Sequence, residues 1–221
     1  TPTLYELYFH DSASTNEVYG NPDLDPETSD SVELAWLMGV EGLFVQTLVY
    51  YARYKDKIVR IRQFPDRPTD LSRVFQNGTT FSGWGAEVEL KYAAQNFGEA
   101  FANYTFCQGD SGDEVDSSDH YNFKYVPAHA LTVGGSANIG ELGVSSIVNL
   151  VGSRGGPIKQ IGADATWDIS LHYKQSWGIH RIGIKNVLDT QIRIPDYIRG
   201  LLNRYFHGEG REVLYTFSGK F

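Results

Sequence analysis

Apolar residues recur at every second position over long stretches of this chain. Between Thr166 and Trp177, one face reads Trp167, Ile169, Leu171, Tyr173 and Trp177. The other reads Thr166, Asp168, Ser170, His172, Lys174 and Ser176. Trp84, Ala86, Val88, Leu90 and Tyr92 likewise oppose Gly85, Glu87, Glu89 and Lys91. Val32, Leu34, Trp36 and Met38 form a further row, and Leu131, Val133, Ala137 and Ile139 another. A period of two is that of a β-strand whose two faces meet different surroundings. The pattern predicts nine strands, over 29–41, 43–61, 80–95, 99–108, 127–140, 143–153, 161–177, 179–188 and 211–221.

The connections alternate in length. Those near Glu41, Asn96, Gly140–Gly143 and Trp177 are tight, whereas 63–78, 109–126, 153–162 and 189–210 are long and polar. Long strands with short turns at one end and long loops at the other suit an antiparallel transmembrane β-barrel. Membrane strands need about 9–11 residues, against about 5–6 for an average soluble strand. Trp and Tyr at strand ends fit the lipid–water boundary. Polar rows such as Glu87, Glu89 and Lys91 suit either a wet lumen or the solvent face of a soluble sheet, so alternation alone leaves both open.

Composition narrows the functions. A net charge of −8 argues against a general nucleic-acid role. Cys107 is the single cysteine, which excludes an internal disulfide, and it reads as a small wall residue. No phosphate loop, Gly-x-Ser-x-Gly or metal-spaced Cys/His cluster appears, so no enzyme and no cofactor are expected. The segment "RIRQFPDRPTDLSR" gathers Arg60, Arg62, Arg67 and Arg73. Guanidinium groups suit carboxylate and phosphate, so this segment is read as contacting an anionic ligand, contacting lipopolysaccharide phosphates, or simply solvated. The acidic run Asp110, Asp113, Glu114, Asp116 and Asp119 lacks the closing Glu of a calcium loop and reads as a solvated loop.

Two stretches carry a family resemblance. One is "TPTLYELYF" with "GNPDLDPETSDSVELAW"; the other is "IGIKNVLDTQIRIPDYIRG" leading to "GREVLYTFSGKF". Together they resemble the C-terminal half of the barrel of TonB-dependent outer-membrane receptors. Pro22 and Pro26 remove backbone donors and bar this stretch from a central ladder, while Asn21 and Asp23 suit a turn.

The resemblance implies an all-β fold in which about nine C-terminal strands belong to a plugged barrel of about 22 strands. The whole span, 1–221, is then barrel, with the plug outside it. It also implies a Gram-negative outer-membrane location and TonB-dependent uptake of a large nutrient such as ferric siderophore, haem or cobalamin. Expected partners are outer-membrane lipid and lipopolysaccharide, the plug, TonB and the barrel-insertion machinery. His10 lies where haem-uptake members place an axial ligand, and an exposed loop histidine is the plainer reading. Tyr215, Phe217 and the terminal Phe221 match the aromatic insertion signal, so Phe221 reads as a natural end and Thr1 as a cut. Thr1–Phe9 is expected to be a loop, and Pro195 to end pairing. Two other readings stay open: a small non-transporting barrel, adhesive or structural, and a soluble β-sheet binding module.

Overall fold

The computed structural model describes residues 1–11, 17–64, 66, 72–78, 80–95, 97–111, 126–155, 160–195 and 205–219. One helix, α1 (Leu4–Tyr8), precedes the strands β1 (His10–Asp11), β2 (Val18–Tyr19), β3 (Thr28–Val40), β4 (Leu43–Lys55), β5 (Ile58–Arg62), β6 (Arg73–Asn77), β7 (Phe81–Ala94) and β8 (Gly98–Ser111). Then follow β9 (His129–Ile139), β10 (Leu142–Val151), β11 (Asp164–Gln175), β12 (Gly178–Lys185), β13 (Arg193–Pro195), β14 (Tyr205–His207) and β15 (Glu212–Gly219).

The nine long strands form one sheet in the order β15-β12-β11-β10-β9-β8-β7-β4-β3. Each strand neighbours the next long strand in sequence, so the sheet is an antiparallel meander, and among the described residues β15 and β3 are its end strands. The register is continuous across its later strands. Val144 faces Ala137 and Leu171, Leu171 faces Ile182, and Ile182 faces Tyr215. Cross-strand partners share a face, so this is one apolar row running across five strands. The adjacent polar row is Asn138, Gly143, His172, Arg181 and Thr216.

Every expected long strand is present, and several differ in extent; β11 begins at Asp164 rather than 161, and β12 ends at Lys185 rather than 188. The predicted 43–61 strand breaks in two. Asp56 takes a left-handed φ of 55°, which ends β4 and sends β5 into a separate four-stranded sheet of order β1-β2-β6-β5. β8 runs on to Ser111 rather than stopping at 108. Two-residue turns such as Glu41–Gly42, with φ of 31° and 83°, close the short end.

Thr1–Phe9 is not an irregular loop. Thr3 accepts from the Glu6 N–H while Glu6 accepts from the Thr3 N–H, a capping box that starts α1. Pro195 forms the last pair of β13, opposite Tyr205, as a strand-ending proline does. β13 and β14 lie in what reads in sequence as a long loop.

The chain divides into two compact units, residues 1–33, 50–84 and 108–123, and residues 34–49, 85–107 and 124–221. Leu24, Phe75 and Ile161 are the only buried apolar side chains among the described residues. Val32, Leu34, Ile139 and Val213 are each about two-thirds exposed, at 66, 69, 70 and 65 %. A sheet that turns its apolar rows outward needs an apolar solvent. Among the described residues no helix is long and apolar enough to cross a membrane.

Candidate functional site

The arginines singled out in the sequence meet on the small sheet of the first unit. β5 and β6 are antiparallel, with Arg60 opposite Phe75 and Arg62 opposite Arg73. Positions two apart share a face, so Arg60, Arg62 and Arg73 lie on one face around buried Phe75. All three are half-buried. The Tyr5 ring of α1 meets Phe75 edge-on at 5.8 Å and stacks on Phe9 at 4.2 Å. The result is a cationic sheet face with aromatic rings beside it, and guanidinium groups suit carboxylate and phosphate. Arg67 lies outside the described residues.

His10 is engaged rather than open. Its ring stacks on Tyr19 at 4.5 Å, and Nε2 lies 4.0 Å from Glu17 Oε2. The Tyr19 hydroxyl donates to the same carboxylate. Glu17 and Tyr19 carry no recognisable motif, and only pairing of β1 with β2 brings them to His10.

The "NPDLDPE" segment is fastened to the arginine sheet mainly through one side chain, Asn77. Asn77 Oδ1 accepts from the Asp25 N–H at 2.8 Å, and Nδ2 donates to the Asp25 and Asp56 carbonyls at 2.9 and 2.7 Å. The amide imitates a neighbouring strand for a backbone that prolines bar from a ladder. Glu27 accepts from the Ile58 N–H at 2.8 Å, and Leu24 is buried. Asn21 Oδ1 accepts from the Asp23 N–H, forming an Asx turn. The close approach of α1 explains Gly20, where a Cβ would strike the Leu7 backbone. Asn77 was not legible beforehand, since an Asn followed by Gly reads first as a turn.

In the second unit, Thr132, Asn149 and Thr166 form a hydrogen-bonded polar ladder across β9, β10 and β11. Above it, Asn186 is buried with φ of 49° and donates to the Thr190 and Glu209 carbonyls. Thr190 Oγ1 donates to the Ala165 carbonyl. Arg154 joins Asp164 at 3.2 Å and donates to the Arg193 carbonyl at 2.7 Å. These bonds hold the base of the 186–211 connection onto β11. No group of three or more metal-ligating side chains occurs among the described residues. Of the acidic run, Asp113 to Asp119 lies outside the described residues, and so does Phe221.

A family model described as TonB dependent receptor-like, beta-barrel matches residues 1–187. No curated protein sequence matches. Among solved structures, a mutant ferric enterobactin receptor from Pseudomonas aeruginosa, in complex with enterobactin, superposes with a TM-score of 0.68 at 16% identity. The match covers 98% of this chain and 36% of that one. The copper transporter OprC gives 0.67 at 15% identity, over 98% and 35%. The siderophore receptor PirA from Acinetobacter baumannii gives 0.65 at 19% identity, over 90% and 32%. At these identities the likeness is one of fold, and the chain spans about a third of each of these proteins.

Proposed function

The chain belongs to the TonB-dependent receptor-like β-barrel family, and from that premise we propose that it is a stretch of barrel wall, with outer loops, of a receptor that imports a large nutrient across a Gram-negative outer membrane. Members of this family are outer-membrane transporters rather than enzymes. The apolar rows then face lipid, and the polar rows face a plug that TonB displaces. The short turns are then periplasmic. Tyr215 and Phe217 of β15, which pairs with β12, would with Phe221 form the aromatic signal read by the barrel-insertion machinery.

The observation that carries the cargo reading is the shared face of Arg60, Arg62 and Arg73. It favours an anionic ferric chelate over neutral cobalamin, and the solved relatives include a ferric enterobactin receptor and a siderophore receptor. Titrating the intact purified receptor with a ferric catecholate, haem and cobalamin, followed by tryptophan fluorescence, tests this. Arg62→Ala plus Arg73→Ala should weaken the catecholate at least about tenfold, since a charge-assisted bond contributes about 1.5–3 kcal/mol. Equal affinity for wild type and variant rejects the arginine site.

His10 as a haem ligand has its own test. To reach iron, the ring must leave Tyr19 and Glu17. A Soret band that does not change between wild type and His10→Ala removes it as ligand.

A further inference from the structure

Asn77 is followed by Gly78. In such a pair the asparagine side chain is open to attack by the next backbone nitrogen, because glycine has no β-carbon to obstruct the approach. Three features of the fold hold that reaction back. Asn77 ends β6 opposite Ile58, and a side chain on extended backbone stands away from the chain direction. The Gly78 N–H is committed to the Lys57 carbonyl at 2.6 Å. The Asn77 amide is held at both ends, by the Asp25 N–H on Oδ1 and by the Asp25 and Asp56 carbonyls on Nδ2.

The atom that the reaction expels is the atom that does most of the fastening. Nδ2 donates to both carbonyls, at 2.9 and 2.7 Å. A carboxylate in its place accepts only, so a negative oxygen would stand against the Asp25 and Asp56 oxygens. Asn77 also shares its face of β6 with Phe75 and Arg73. The fastening and the arginine face are therefore parts of one strand.

We infer that Asn77–Gly78 is a guarded self-modification site, which converts when the "NPDLDPE" segment lifts and then bars that segment from fastening again. The Gly78 nitrogen bonds to the Asn77 Cγ while the Cγ–Nδ2 bond breaks. The amide nitrogen leaves as ammonia and takes the Gly78 proton with it. Water then opens the ring, leaving aspartate or isoaspartate at position 77. Water is consumed and ammonia released, and no oxidant or metal takes part. The site depends neither on the cargo nor on which face of the large sheet meets lipid.

The test ages the intact purified receptor in warm, mildly alkaline buffer and maps isoaspartate at position 77 by mass spectrometry. Three samples are compared: folded wild type, wild type unfolded in urea, and folded Leu24→Ala plus Glu27→Ala. The double variant withdraws the buried Leu24 anchor and the Glu27 bond to the Ile58 N–H without touching Asn77. Unfolded chain should convert fastest, and the double variant at least about tenfold faster than folded wild type. If the double variant does not fold, Glu27→Ala alone takes its place. Equal rates in folded and unfolded wild type overturn the guard. A loosened variant no faster than folded wild type overturns the link to the segment. No conversion at position 77 in unfolded chain overturns the site itself.

Asn77→Asp reads the consequence directly. It should speed hydrogen exchange at the Ile58 amide, which Glu27 covers, whereas Asn77→Ala, which removes bonds without adding repulsion, leaves that amide protected. An Ile58 amide that exchanges as in wild type in the Asn77→Asp receptor would show that the product does not lift the segment, and the switch fails.

Discussion

At the scale of single residues, a few polar side chains replace backbone pairing where the chain turns away from the sheet. Asn77 gives the Asp25 and Asp56 backbones the partners that prolines and a left-handed turn deny them. Removing it leaves those groups unpaired. Asn77→Ala should cost about 1–3 kcal/mol locally, read as faster hydrogen exchange at the Asp25 amide with strand amides unaffected. Asn186 combines bonding with a left-handed backbone that a β-carbon resists. Asn186→Ala should lower stability by about 1–3 kcal/mol in urea unfolding. Asn186→Gly should recover the backbone share of that loss and not the hydrogen bonds. If both variants behave alike, the φ constraint is unimportant.

At the scale of elements, the sheet was legible because period two survives wherever two solvents meet it. The row through Leu171 was readable from Trp167 to Trp177, and the register places it beside Val144 and Ile182. Leu171→Arg should destabilise by about 2–4 kcal/mol if that site is near mid-bilayer. Ser170→Arg, one position away on the polar face, should cost far less. Equal cost at both positions would contradict the two-faced sheet.

What the sequence hid is short and non-local. The β4–β5 break hangs on one left-handed Asp56. The helix over Leu4–Tyr8 spans barely a turn, too short for a 3.6-residue period to show, although its capping box stood in "TLYE". The arginines were visible as a cluster, but their common face needed the β5–β6 register. The partners of His10 lie in strands of two residues, which no periodicity reveals.

At the scale of the whole molecule, the two features that matter are an exposed apolar face on the nine-stranded sheet and a cationic face on the four-stranded one. Leu24, Phe75 and Ile161 are the only buried apolar side chains among the described residues, which agrees with a wall between lipid and lumen. The most direct measurement follows radioactive iron carried by a ferric catecholate into cells that express the intact receptor, with and without TonB. The account predicts that the protein fractionates with the outer membrane and binds the chelate in both strains. It also predicts that iron enters only where TonB is present. Iron entry at the same rate without TonB, or a protein recovered in the soluble fraction, would contradict it.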